Sequence, residues 1–114
     1  PADWQQTRAL DGEIGEYLVI ARQDRHSRDW YLGALTNEHG RTLDAPLGFL
    51  ESGVRYEAQI YRDGDDANWE SNPEAIVIET REVTSQDVLH LRLAPGGGTA
   101  IRFAPVGSVS VRGR

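Results

Sequence analysis

Three residue types are missing from this 114-residue chain: cysteine, methionine and lysine. Without cysteine, the chain has no disulfide, no thiol nucleophile and no thiolate ligand for zinc. No apolar run approaches the roughly 20 residues that cross a bilayer, and no signal peptide is visible, so we expect no membrane contact. Because the chain lacks methionine and begins with Pro1, we expect a processed protein or a piece cut from a longer one.

Positive charge is also scarce. The formal net charge is −6, and the twelve basic residues, all of them arginine, form no run. Since nucleic-acid binding depends on clustered positive charge, we expect no DNA or RNA partner. With 26% charged and 39% hydrophobic residues, the composition is that of a folded globular protein, and the length fits one domain.

Short stretches of alternating apolar and polar residues are abundant. A period of two places successive side chains on opposite faces of a β-strand. No window shows helical periodicity, so we predict an all-β fold: an antiparallel β-sandwich of about eight short strands in a Greek-key-like order. The predicted strands are 7–10, 17–22, 30–36, 41–47, 56–61, 76–81, 89–93 and 99–103.

Three details of strand arrangement follow from particular residues. Both faces of 30–36 are largely apolar, which predicts a strand in the middle of a sheet. Pro46 cannot donate a ladder hydrogen bond, so we expect a sheet edge or a strand end there. The run from Pro95 to Gly98 permits positive backbone angles, and we predict that it closes a hairpin between the last two strands.

Residues that could carry out catalysis or bind a metal show no strong pattern. His26 and His39 fall in predicted loops and His90 on the polar face of a strand, without the close spacing of a metal-binding pair. No serine stands in a Gly-x-Ser-x-Gly context. Nothing singles out two carboxylates of the kind that glycosidases pair. The sequence therefore predicts no catalytic site.

One acidic loop, Asp63-Gly64-Asp65-Asp66-Ala67-Asn68, has the oxygen donors that a calcium ion prefers. It does not match the twelve-residue calcium-loop pattern, because its glycine falls too early and no glutamate closes it. Aspartate and glycine are equally the residues that build Asx turns. The sequence leaves both interpretations open and favours the turn.

The aromatic residues divide by position. Tyr17, Trp30 and Tyr56 lie on strand faces, where aromatic side chains usually fill a core. Trp69 lies in a long polar loop. Three roles for it remain open: contact with a neighbouring domain, local packing, or stacking on a sugar ring.

Four segments together resemble the C-terminal domain of glycoside hydrolase family 97. The resemblance extends from about residue 7 to residue 105, and its specificity comes from the order and spacing of the four. They are Asp11–Arg22 (DGEIGEYLVIAR), Asp29–Asn37 (DWYLGALTN), Tyr61–Pro73 (YRDGDDANWESNP) and Leu93–Ile101 (LAPGGGTAI).

The resemblance implies an antiparallel β-sandwich that follows a catalytic (β/α)₈ barrel in one long polypeptide. Family members resemble calcium-dependent α-glucosidases and α-galactosidases exported from polysaccharide-degrading bacteria. A periplasmic or secreted location is therefore implied, with the catalytic carboxylates and calcium ligands outside this chain. No catalytic or metal-binding residue transfers to this sequence, and we expect no cofactor in this domain.

We therefore predict that residues 1–105 form a non-catalytic accessory domain, which packs against the barrel of the same polypeptide and stabilises it. Residues 106–114 are predicted to form a poorly ordered tail. The expected interdomain contact comprises Leu47, Phe49, Leu50 and Trp69. Two alternatives remain: a carbohydrate-binding module that presents exposed aromatics to a polysaccharide, and an oligomerisation domain.

Overall fold

The computed structural model describes residues 4–13, 16–63 and 76–108, and these ranges form β-strands and turns without a helix. The strands are β1 (Trp4–Glu13), β2 (Tyr17–Asp24), β3 (Trp30–Thr36), β4 (Arg41–Pro46), β5 (Val54–Asp63), β6 (Ile76–Val83), β7 (Val88–Leu93) and β8 (Gly98–Ser108). Each of the eight predicted strands is present, and most are longer than predicted. Within the described ranges, no helix has the length and apolar character needed to cross a bilayer.

The strands form two sheets. A six-stranded sheet has the order β1-β2-β3-β8-β5-β6, a two-stranded sheet joins β4 to β7, and every pairing is antiparallel. The predicted antiparallel β-sandwich is confirmed. The central position of β3 is confirmed as well, since it lies between β2 and β8, and Pro46 ends β4 as expected. Because β8 is inserted between β3 and β5, strands distant in sequence are neighbours, as in Greek-key connections.

The core lies between the inner face of the six-stranded sheet and the smaller sheet. The ring of Phe49 lies 5.1 Å from that of Trp30 and, edge-on, 5.7 Å from that of Phe103. Tyr56 and Phe103 are the largest fully buried side chains in the described ranges. The predicted core positions of Trp30 and Tyr56 are confirmed, and Tyr17 packs half-buried at the margin of the core.

The connection at Pro95 corrects a prediction. β7 pairs with β4 whereas β8 pairs with β3 and β5, so the two strands lie in different sheets and the predicted hairpin is wrong. The turn itself is as expected: the amide of Gly97 donates to the carbonyl of Ala94 at 2.8 Å, and Gly96 has a φ of 68°. Proline followed by a positive-φ glycine is typical of a type II turn. Such a turn serves equally in a hairpin or in a crossing between sheets, so its residues did not distinguish the two.

The last strand continues past the predicted domain boundary at residue 105. Gly107 pairs with Arg55 and Ser108 with Val54, so three residues of the predicted tail belong to the sheet. The remaining tail, 109–114, lies outside the described residues. The physical reason is the length of β5, which begins at Val54 and offers β8 a partner along its whole length.

Candidate interaction surface

The six-stranded sheet has an outer face, directed away from β4 and β7, that is apolar and exposed. On it, Leu18 of β2 pairs with Leu35 of β3, and Tyr61 of β5 pairs with Ile78 of β6. The exposed fractions of these four residues are 43%, 63%, 45% and 66% respectively. Contiguous apolar surface of this kind marks an interaction site more often than scattered apolar residues do.

A hollow lies in the middle of the outer face. Its floor is formed by small residues, because Gly33 and Ala100 pair across β3 and β8. A Cβ atom at Gly33 would meet nothing within 4 Å, so the space above the floor is open. The hollow measures about 880 Å³. Its apolar margin comprises Leu18, Ile20, Leu35 and Tyr61.

One end of the hollow is polar. There Nε and Nη2 of Arg102 both donate to Oδ2 of Asp29, at 2.9 and 2.8 Å. The Asp29 carboxylate raises the pKa of the Arg102 guanidinium above its ordinary value. The Asp29 side chain is only 13% exposed, whereas the Arg102 side chain is 47% exposed. The pair is therefore shielded from solvent at the carboxylate and open to solvent at the guanidinium. Tyr31 lies beside Arg102 in the pairing of β3 with β8.

A second, smaller cleft of about 280 Å³ opens between β6 and β7. Nε of Arg62 donates to Oε1 of Glu79 at 2.7 Å, and Arg81 lies 3.8 Å from the same carboxylate. Hydrogen bonding from Arg62 lowers the pKa of Glu79 below its ordinary value. The buried hydroxyl of Thr99 in this cleft has no hydrogen-bond partner among the described residues. Glu79 is the single carboxylate among the described residues that line this cleft, and it is bound by arginine.

No candidate metal centre appears in the part of the chain that the structure describes, where no three His, Asp or Glu side chains converge. Nδ1 of His90 lies 2.6 Å from Oδ1 of Asp44, and both side chains are exposed. His26 and His39 lie in exposed loops, as predicted. The acidic loop considered for calcium, residues 63–68, lies outside the described residues except for Asp63, the last residue of β5.

The predicted interdomain contact residues occupy different environments. The side chains of Leu47, Phe49 and Leu50 are buried, with exposed fractions of 0%, 7% and 3%, and belong to the core of this chain. Little of their surface remains for another domain, because they close the core between β4 and β5. Trp69 lies outside the described residues. The contact itself stays a prediction.

Sequence reasoning missed the outer face. The signal was present, because Leu18, Gly33, Leu35 and Ile78 occupy the positions that alternation should leave polar. For β3 the apolar second face predicted a central strand, which is correct. A central strand in a two-layer sandwich still has one uncovered face, and no helix follows that would cover it in the described ranges.

Comparison with known proteins identifies the fold as a known module. The sequence model described as "Glycosyl-hydrolase 97 C-terminal, oligomerisation" matches residues 3–104. The chain belongs to this family. A family 97 enzyme from Pseudoalteromonas sp. strain K8, solved in complex with acarbose, superposes with a TM-score of 0.91 at 50% identity. The superposition covers 93% of this chain and 17% of the enzyme.

The sequence relatives are also much longer than this chain. A retaining alpha-galactosidase of Bacteroides thetaiotaomicron is 32% identical over 103 residues, which are 90% of this chain and 15% of the relative. A beta-arabinopyranosidase superposes with a TM-score of 0.62 at 22% identity and shows the fold alone. The glycoside hydrolase family 97 C-terminal domain is the non-catalytic part of such enzymes, as the sequence predicted.

Proposed function

We propose that this domain packs against the catalytic barrel of its own polypeptide and stabilises it. The observation that carries the proposal is the match of nearly the whole chain, residues 3–104, to the C-terminal module of much longer glycosidases. The described residues contain no cluster of three potential metal ligands, which fits a supporting role. A barrel has an outer layer of helices, and an appended sandwich can bury part of that layer.

The activity of the whole polypeptide is proposed on the same basis. The relatives carry the names retaining alpha-galactosidase and glycoside hydrolase family 97 enzyme. We propose that the polypeptide carrying this domain cleaves α-galactosides or α-glucosides and is periplasmic or secreted. Any calcium ion and the catalytic carboxylates would be held by the remainder of the polypeptide.

Two measurements test the supporting role. The 114-residue chain alone should hydrolyse no aryl α-glycoside, and turnover that survives repurification would overturn the proposal. The polypeptide that carries both barrel and domain should lose thermal stability when residues 3–104 are deleted. An unchanged melting temperature and half-life of activity after that deletion would contradict stabilisation.

Carbohydrate binding remains the second candidate, and one observation favours it. Tyr31 and Tyr61 share the outer face, with β8 between their strands, and Arg102 and Gln59 lie beside them as hydrogen-bonding groups. Affinity electrophoresis of the chain in gels that contain starch or galactomannan tests this function. Retardation that is lost in Tyr61→Ala supports it, and unretarded migration eliminates it.

A further inference from the structure

We propose that the outer face of the six-stranded sheet is a homodimer interface, in which a second copy of this chain covers the hollow. The family description names oligomerisation without a surface. The inference supplies that surface and does not depend on contact with a barrel. Its first support is exposure, because Leu35 and Ile78 are 63% and 66% exposed although both are large and apolar.

The area of the face is sufficient for a dimer. Six strands about 4.8 Å apart and seven residues rising about 3.3 Å each give a face of roughly 24 by 23 Å, or about 550 Å² before side-chain relief. A specific interface buries about 800 Å² per partner, and about 500 Å² per partner is a practical minimum. Protruding side chains raise the accessible area above the flat estimate, so the face exceeds this minimum. They are Leu18, Leu35, Tyr61 and Ile78.

The shape of the face is self-complementary. A two-fold dimer brings the same patch of both copies together, so a protruding group must meet a depression displaced from it on the same patch. The protruding side chain of Leu35 lies two residues along β3 from Gly33, so protrusion and floor are displaced along the strand. Ile78 lies across the sheet from the floor, beyond Tyr61. A two-fold axis in the plane of the interface, between protrusion and floor, places a protrusion of each copy over the hollow of the other.

Charge permits this contact despite the formal net charge of −6 on each copy. Among the described residues that line the hollow there is no carboxylate. Three arginines line it, Arg22, Arg62 and Arg102. Arg62 is paired with Glu79, and Arg102, at the polar end, with Asp29. If the two-fold axis runs perpendicular to the strands, the Arg102 ends of the two copies lie at opposite ends of the interface. The resulting contact has an apolar centre and a polar rim, which is the usual anatomy of a specific interface.

The first test measures the mass of the 114-residue chain by light scattering and sedimentation equilibrium. We expect a monomer–dimer equilibrium between about 1 µM and about 1 mM, the range of modest protein affinities. Leu35→Asp should weaken dimerisation more than tenfold, because a carboxylate would be buried without a partner. The matched control is Val88→Asp, which changes another exposed apolar residue, 46% exposed on β7, away from the outer face. It should dimerise as the unmodified chain does.

The second test does not rely on a charged variant. Because the chain has no cysteine, Ile78→Cys provides a unique thiol on the outer face and Val88→Cys a matched thiol elsewhere. Maleimide labelling at position 78 should slow as protein concentration rises through the dimerisation range, while labelling at position 88 should not. Equal rates at all concentrations would overturn the proposal.

The remaining outcomes separate this inference from the supporting role. A chain that stays monomeric to about 1 mM, or a Val88→Asp variant that loses the dimer equally, overturns the dimer interface. A third outcome is that Leu35→Asp in the longer polypeptide leaves the oligomeric mass unchanged and lowers the melting temperature of the barrel. That result would assign the outer face to the barrel, so this inference would fail while the supporting role would stand.

Discussion

Two faces of one sheet differ in what covers them, although both carry large apolar side chains. On β3, Leu32 points inward and is 2% exposed, whereas Leu35 points outward and is 63% exposed. Both are leucine, both lie on the central strand, and they are three residues apart. The inner face is covered by β4, β7 and the segment that contains Phe49, while the outer face has no cover within the described ranges. Apolar character alone therefore does not establish that a residue belongs to the core.

The largest change in the free energy of unfolding is expected at Leu32, and Leu35 is its matched comparison. Leu32→Ala should lower the free energy of unfolding by about 2–5 kcal/mol, because it leaves a cavity in a packed core. Leu35→Ala should change it by no more than about 0.5 kcal/mol in the monomer. Urea denaturation at low protein concentration measures both. Losses of equal size would show that the outer face is packed in the isolated chain, contrary to the structure.

Two glycines sharpen the comparison within the outer face, and we expect effects of opposite sign. A Cβ at Gly98 would lie 2.6 Å from the carbonyl oxygen of Ala34, so Gly98→Ala should destabilise by about 1–3 kcal/mol. A Cβ at Gly33 meets open space, and alanine is favoured over glycine in a strand by about 0.5–1 kcal/mol. Gly33→Ala should therefore stabilise the monomer. Thermal denaturation of both variants against the unmodified chain checks the two signs.

Ion pairs allow a similar comparison by exposure. Asp29 is largely shielded and accepts two hydrogen bonds from Arg102, so Asp29→Ala should cost about 1 kcal/mol, reduced from larger values by the half-exposed guanidinium. Glu51 pairs with Arg28 at 2.9 Å, but both side chains are 61% exposed. Glu51→Ala should have no measurable effect on the urea midpoint. A larger loss at Glu51 than at Asp29 would contradict the role of shielding.

Sequence reasoning recovered the strands and the fold class, because alternation, turn residues and Pro46 are local signals. It failed where the answer depended on which strands meet. The Pro95–Gly96 turn is encoded locally, yet its role in connecting two sheets is set by the pairing of β8 with β3 and β5. Likewise, Leu47 and Phe49 are apolar residues that were predicted to contact another domain, but the segment that carries them folds inward over the core. The Asp29–Arg102 pair joins residues 73 apart, beyond any local pattern.

The smallest expected effect is the contribution of Glu79 to the loss of stability at acid pH. Arg62 lowers the pKa of Glu79 in the folded chain below the ordinary value of 4.5. A lowered folded-state pKa gives stability that is present above the unfolded pKa and is lost as the pH falls through the folded value. Between about pH 7 and about pH 3, the urea midpoint of Glu79→Gln should therefore fall less than that of the unmodified chain.

The difference between the two pH profiles isolates Glu79, because other lowered carboxyls remain in both chains. Asp24 is one of these, since hydrogen bonds from the His26 amide and the Ser27 hydroxyl lower its pKa as well. Arg62→Gln is the matched control: it keeps Glu79 and removes the cause of its lowered pKa, so it should flatten the profile in the same pH range. If Glu79→Gln flattened the profile and Arg62→Gln did not, the lowered pKa would have another source than this ion pair.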